Sequence, residues 1–365
     1  MSAAADPVAS GVVKVDAGQL TVAVAEIFTA LGIARGDAEI AASDLVAADL
    51  ENIASHGVML VPMYVERILK GSVSKLSEGK VIRDRGAAIV VDAGNCLGQL
   101  SARQAAKIAV ARARDIGMAG VAVRNAFHFG TAGLYARMMA DQGCVGIVMS
   151  NTRPLMPAPG GAEAMVGNNP IAVALPSAGE HPAEVDMALS ATAMGKIRLA
   201  AAAGKSIPSD WAISADGRPT TDPAEAIKGM LLPAAGPKGF GLAFVIDLLC
   251  GALSEGAIGS DVRPLYGDAA DPYRCSQFFM ALNVAHFTAL DGFASRVRDQ
   301  AARVRASKPA PGTQRIYAPG ELPFAARQTN AGTCALNTQT VQSLIACAKG
   351  LNVDLAYLLP KEKVS

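Results

Sequence analysis

Residues 101–150 constrain the fold more than any other part of this chain. Apolar residues recur at helical spacing over 101–116, residues 120–123 form a short apolar run, 131–142 is helical again, and 144–150 is a second apolar run. A strand, a helix and a strand within about thirty residues make a βαβ unit, which places the two strands parallel in a sheet covered by helices. Ligands of such sheets sit beyond the carboxyl ends of the strands. Those ends carry Arg124-Asn125-Ala126-Phe127-His128-Phe129-Gly130 and Ser150-Asn151-Thr152-Arg153-Pro154, polar clusters after apolar runs.

The rest of the chain is read around this unit. Residues 20–31 and 37–50 are two helices separated by a break at Gly32 and Gly36. They lead into the turn Ala54-Ser55-His56-Gly57 and a helix over 62–70 opened by Pro62. Residues 81–92 read as a hairpin around Asp84-Arg85-Gly86. Residues 157–176 are rich in glycine and proline and end in a strand over 171–175, and a second buried strand is expected over 184–189. Small residues make a helix of 194–203, a further helix follows Pro223, and Gly236-Pro237-Lys238-Gly239-Phe240-Gly241 opens an apolar helix over 242–253. Beyond Asp261 the pattern gives a strand at 278–284 and helices at 291–304 and 341–349. Residues 1–15 lack the basic segment and apolar block of a signal peptide and read as a flexible tail.

Four positions invite chemistry, and each has a plainer reading. His56 is one of four histidines. Imidazole titrates near neutrality and suits proton transfer, but Ser55 could equally cap the following helix while His56 packs beside it. His128 lies between a strand and a helix, where backbone amides favour a phosphate or carboxamide; alternatively it packs on the helix start. Asp186 is a carboxylate within an apolar run, so it binds or caps something. Lys238, among glycines at a helix start, suggests anion contact or a solvated side chain. Neither the Walker pattern nor GxGxxG occurs, which disfavours a standard Rossmann site.

Composition narrows the function classes. With 51% apolar residues the chain buries a large core, and a formal charge of +1 without a basic, aromatic-interleaved run excludes a nucleic-acid footprint. The six cysteines are scattered without a CxxC pair, arguing against a zinc cluster and for reduced thiols in a cytoplasmic protein. Asp247 interrupts the most apolar segment, so no membrane span is expected.

SHGVMLVPMYVERI from Ser55, NAFHFGTAGLY from Asn125, SNTRPLMPAPGG from Ser150, GNNPIAVALP from Gly167, DMALS from Asp186, GRPTTDP from Gly217 and KGFGLAFVIDLL from Lys238 together resemble the malate/L-lactate dehydrogenase family. That family also contains sulfolactate and ureidoglycolate dehydrogenases, diketogulonate reductase and piperideine-2-carboxylate reductase, and is unrelated to Rossmann-type lactate dehydrogenases. The resemblance implies a three-layer α/β/α fold with a mixed sheet, a homodimer, and NAD(P)H held without GxGxxG, with NADH or NADPH undecided. It implies that His56 is the general acid/base. Asp186 would orient the cofactor or His56, and Ser55 and Tyr64 would touch substrate. His128, Gly130, Asn151, Met187, Ala188, Pro237, Lys238, Gly239, Gly320 and Glu321 would surround the cofactor.

Two departures stand out. Family arginines that clamp a substrate carboxylate are replaced here by Leu60 and Glu51, leaving Arg153, or else Arg67, to take that role. The expected organisation is a helical, substrate-side domain from 16–98 and 285–365 around a cofactor domain of 99–284. The expected activity is hydride transfer between nicotinamide and a small 2-oxo or 2-hydroxy acid of the malate, lactate or sulfolactate type. Reduction of a cyclic imino acid, or cofactor binding with weak or lost catalysis, are the alternatives.

Overall fold

The computed structural model describes residues 11–179 and 181–358, which fall into two compact units, one of Met1–Ser77 with Leu322–Ser365 and one of Glu78–Glu321. The first unit opens on strand β1 (Val12–Asp16), paired antiparallel with Thr333–Asn337. The flexible tail expected over 1–15 is corrected accordingly, with residues 1–10 lying outside the described part. Val13 and Val15 alternate inward opposite the buried Leu336 and Cys334, so these residues gain burial as well as ladder bonds. Asp16 then caps helix α1 (Ala17–Ala30) by accepting the Gln19 N–H at 2.9 Å. Leu20, Val24, Ile27 and Phe28 face inward from α1, each contributing about 2 kcal/mol by leaving water. Helix α2 (Arg35–Leu50) meets them with the small residues Ala38, Ala41 and Ala42. Helix α3 (Val61–Lys70) starts at Pro62 and stops at Gly71, whose φ of 82° is left-handed.

The second unit is a sheet between helices. Its strands are β2 (Lys80–Arg85), β3 (Ala88–Asp92), β4 (Met118–Ala126), β5 (Cys144–Ser150), β6 (Ile171–Leu175), β7 (Ala183–Met187) and β8 (Cys275–Asn283), in the order β2-β3-β4-β8-β5-β6-β7. Only the β3–β4 pair is parallel; the other neighbours are antiparallel. The βαβ expectation therefore holds in direction but not in adjacency. β4 and β5 run parallel, and β8, from far along the chain, is inserted between them.

Alternation along β5 shows the layers. Gly146 lies against Ala136 and Met139 of α5 (Ala132–Ala140), while Ile147 and Met149 face Ala243, Ile246 and Cys250 of α6 (Pro237–Ser254). Helix α4 (Gly98–Ile116) packs beside α5 and against β4 and β8. This is the three-layer α/β/α fold with a mixed sheet.

Two other expectations change. β7 is an edge strand with Val185, Asp186 and Met187 exposed, not a buried one, because no strand pairs beyond it. The compact units divide at 77/78 and 321/322, since the β2–β3 hairpin pairs with β4 and helix α7 (Leu290–Arg305) contacts β7. Helix α6 runs for 18 residues and is, by length and composition, apolar enough to cross a membrane. In this fold it lies along the sheet, with the Asp247 carboxylate accepting hydrogen bonds from Asn151 Nδ2 and the Gly259 N–H, both at 2.9 Å.

Candidate active site

In the first unit the functional turn is two short 3₁₀ turns, Ala54–His56 and Val58–Leu60, set before α3. Ser55 does not cap that helix. Its Oγ lies 2.9 Å from His56 Nδ1, and the start of α3 has no side-chain cap. The hydroxyl thus fixes the ring plane and one nitrogen. His56 is half-buried, and burial lowers its pKa below the usual 6.5, so the neutral, proton-accepting form prevails at pH 7.

The remaining first-unit candidates are placed differently from expectation. Tyr64 is wholly buried and stacks on Phe28 with centroids 6.3 Å apart, so it belongs to the core and not to a substrate surface. Arg67 is also buried and donates to Ser72 Oγ at 3.3 Å, which removes it as a carboxylate clamp. Leu60 is a core residue. Glu51 is buried, with Arg327 Nη1 3.9 Å from its Oε1. Nearby, Asn330 Nδ2 donates to the Leu50 carbonyl at 2.7 Å and so ties down the end of α2.

In the second unit the loop after β4 is pinned carbonyl by carbonyl. Cys275 Sγ donates to Ala126 O at 3.3 Å, Gln277 Nε2 to Phe127 O at 3.0 Å, and the Tyr135 hydroxyl to Phe129 O at 2.6 Å. His128 Nδ1 accepts the Gly130 N–H at 3.4 Å, which leaves Nε2 as the protonated nitrogen of the neutral ring. Gly130 has φ of 86°, a conformation that favours glycine.

Asp186 Oδ2 accepts the Gly133 N–H, at the first turn of α5, at 2.8 Å. Two residues earlier on the same face, Glu184 is buried and holds Arg137 Nη1 through both oxygens at 2.9 Å. Burial pushes the Glu184 carboxyl up, but the His181 hydrogen bond and the Arg137 charge prevail and leave it below its ordinary value. Gly320, with φ of 89°, packs on Glu184, and the neighbouring Glu321 is paired with Arg305. His128, Gly130, Asp186 and Gly320 are therefore built around one corner of the sheet, where β7 meets the start of α5.

The other cofactor candidates are linked to this corner by backbone. After Met187 and Ala188, both exposed, the Leu189 carbonyl accepts the Ala234 N–H at 2.9 Å, which places the end of β7 beside the start of α6. There Pro237 and Lys238 are exposed, and no side chain caps the helix. Gly239 is obligatory, since a methyl group there would be driven into the Ala234 carbonyl oxygen. We expect Gly239→Ala to raise the dissociation constant for NADH by about tenfold, through displacement of the Lys238 turn. A fluorescence titration giving an unchanged constant would remove the start of α6 from the binding surface.

Asn151 is buried with its side chain committed to the protein. It donates to Asp247 Oδ1 at 2.9 Å and to Ala257 O at 2.8 Å, and accepts the Ser276 N–H at 2.7 Å. These bonds hold the end of β5. Arg153 is exposed, with a hydrogen bond of 3.4 Å to the adjacent Pro154 carbonyl.

Three residues that organise these clusters were not singled out in the sequence. Asp49 supports the His56 turn by accepting the Val58 N–H at 2.8 Å. Glu184 was passed over for Asp186, although the two alternate onto the same face. Asn169, fully buried, accepts the Thr152 N–H at 2.8 Å and donates to the Ala243 carbonyl at 2.9 Å, so it joins the Arg153 loop to α6. Only its place in a glycine-rich loop hinted at this. The exposed Asp186 and Lys238 beside the uncapped start of α6 suit the hydroxyls and phosphates of a dinucleotide.

The sequence profile of the malate/L-lactate dehydrogenase family matches residues 15–345. Malate dehydrogenase of Pyrococcus abyssi is 37% identical over 325 residues, covering 87% of this chain and 89% of that one. Ureidoglycolate dehydrogenase (NAD(+)) of Escherichia coli O157:H7 is 34% identical, covering 80% and 82%. (2R)-3-sulfolactate dehydrogenase (NADP(+)) of Chromohalobacter salexigens is also 34% identical, covering 76% and 82%. Among solved structures, sulfolactate dehydrogenase of Methanocaldococcus jannaschii superposes with a TM-score of 0.89 at 30% identity, over 94% of this chain and 98% of that one. Δ1-piperideine-2-carboxylate reductase of Pseudomonas syringae superposes with a TM-score of 0.82 at 26% identity, over 92% and 99%.

Proposed function

This chain belongs to the malate/L-lactate dehydrogenase family, and on that premise we propose that it moves hydride between a nicotinamide dinucleotide and the oxygen-bearing carbon of a small 2-oxo or 2-hydroxy acid. It is an NAD(P)-dependent oxidoreductase. The nicotinamide ring supplies or accepts the hydride when bound; the chain's own residues manage the proton and the charge. His56 carries the reading: a half-buried imidazole, fixed by Ser55 and shifted toward its neutral form, takes the hydroxyl proton during oxidation and returns it during reduction.

Asp186, His128 with Gly130, Met187, Ala188, Pro237, Lys238, Gly239 and Gly320 are the residues proposed to receive the cofactor. Lys238 would face its phosphates and Asp186 its hydroxyls or carboxamide. Glu321, paired with Arg305, would shape that loop and not bind directly. Either NADH or NADPH fits, since relatives are named for each form.

Arg153 is proposed to hold the substrate carboxylate. It is an exposed guanidinium whose recorded hydrogen bond is to its neighbour's carbonyl. Arg153→Ala should raise KM for acid substrates by about 10- to 100-fold with a smaller change in kcat, the loss of one charge-assisted contact. An unchanged KM across the acids tested would mean that the carboxylate is held elsewhere.

The piperideine-2-carboxylate reductase likeness supports a second reading, in which the proton goes to the nitrogen of a cyclic imino acid. Coupled absorbance assays with NADH and NADPH against 2-oxo acids and cyclic imino acids separate the two. Tight cofactor binding without turnover on either class would leave a binding protein. We further propose a cytoplasmic homodimer, supported by the row of exposed Leu242, Phe244, Val245, Leu248 and Leu253 on α6. Sedimentation of a single monomeric species would remove the dimer.

A further inference from the structure

The carboxyl group of Asp49 lies directly beneath the turn that carries His56. Asp49 sits in the last turn of α2 with only 6% of its surface exposed, and its Oδ2 accepts the Val58 N–H at 2.8 Å. Gly57, between His56 and Val58, is fitted to it: a methyl group at Gly57 would collide with both carboxylate oxygens and with Cγ. The two bonds that close the turn, His56 N–H to Ile53 O at 2.9 Å and Gly57 N–H to Ala54 O at 3.0 Å, hold the residues before the imidazole; of the following peptide, the Gly57 carbonyl accepts the Leu60 N–H at 3.1 Å and the Val58 N–H is held by Asp49. Burial pushes the Asp49 pKa up to about 7, and the buried thiol of Cys334 faces it from the strand Thr333–Asn337.

We propose that Asp49 is a positioning residue for His56, gripping the Gly57–Val58 peptide so that the imidazole is held at the geometry of proton transfer. The inference rests on the reading that His56 moves the proton. Misplacing a reacting group by about 1 Å can cost about 10²-fold in rate, so a grip on the adjacent peptide bears on kcat without touching substrate.

The test compares Asp49→Ala, Asp49→Asn, His56→Ala and the double variant Asp49→Ala/His56→Ala in steady-state kinetics, with NADH affinity measured by fluorescence. Asp49→Ala should lower kcat by about 10- to 100-fold with NADH affinity unchanged, and Asp49→Asn, which keeps an acceptor for Val58, should return kcat to within about threefold of the parent. The double variant should be no slower than His56→Ala alone, because the support acts only through the imidazole. Should Asp49→Ala not fold, Asp49→Ser, too short to reach Val58, takes its place. The inference is overturned by an unchanged kcat in Asp49→Ala or Asp49→Ser, by an Asp49→Asn as slow as the alanine variant, or by losses that multiply in the double variant. A His56→Ala that keeps its kcat defeats the underlying reading instead, whatever the Asp49 variants do.

Discussion

Replacing His56 by alanine is expected to lower kcat by about 10²- to 10⁴-fold, the range contributed by a positioned general acid or base. NADH affinity should be unchanged, because none of the residues proposed to receive the cofactor is altered. The pH profile gives a sharper check. Burial lowers the His56 pKa below 6.5, so its neutral form persists to lower pH than that of a free imidazole. Oxidation of a 2-hydroxy acid, which needs the base, should keep a flat kcat/KM through neutral pH and decline only as the pH falls below 6.5. Reduction of a 2-oxo acid needs the imidazolium and should decline as the pH rises through the lowered His56 pKa, below 6.5. Both limbs should vanish in the variant. A variant within about threefold of the parent, or one that keeps the acid limb, would transfer the role to another group, with His128 the next imidazole to test.

The helices and the main strands are legible in the sequence because hydrophobic period and glycine punctuation are local signals. Thus 20–31, 37–50 and 131–142 each coincide with a helix to within a few residues. What is not legible is long-range pairing. β8 sits between β4 and β5 although nothing in its own nine residues names its neighbours, and β1 closes on Thr333–Asn337 across most of the chain. The site is split in the same way. His56, His128 and Lys238 are visible because imidazole and ammonium groups beside glycines are chemically conspicuous. Asp49, Asn169 and Glu184 are not, since their importance comes from the backbone amides and guanidinium that the fold brings to them. Tyr64 is the converse case: the family resemblance implies substrate contact, while in the fold its ring stacks on Phe28.

Removing the Glu184 carboxylate should be among the most destabilising single changes in the second unit. Glu184 and Arg137 have side chains 5% and 11% exposed, so Glu184→Ala removes one half of an ion pair in a nearly dry setting and should cost about 3–5 kcal/mol. Gly133 packs against the same carboxylate, so the loss also loosens the start of α5. Because β7 is an edge strand, paired on one side with β6, these contacts help to hold Asp186 in place, and NADH affinity should fall with stability. Glu184→Gln keeps one acceptor for Arg137 and should lose less than half as much. Glu184 is ionised below its ordinary carboxyl value, so its contribution is present above pH 4.5 and is lost as the pH falls through the lower, folded-state value; the parent should approach the variant only in acid. Trp211, the only tryptophan, lies in this unit, and its fluorescence in urea reports the change directly. A Glu184→Ala midpoint within experimental error of the parent at pH 7 would show that the Arg137 pair contributes nothing to the stability of the edge strand.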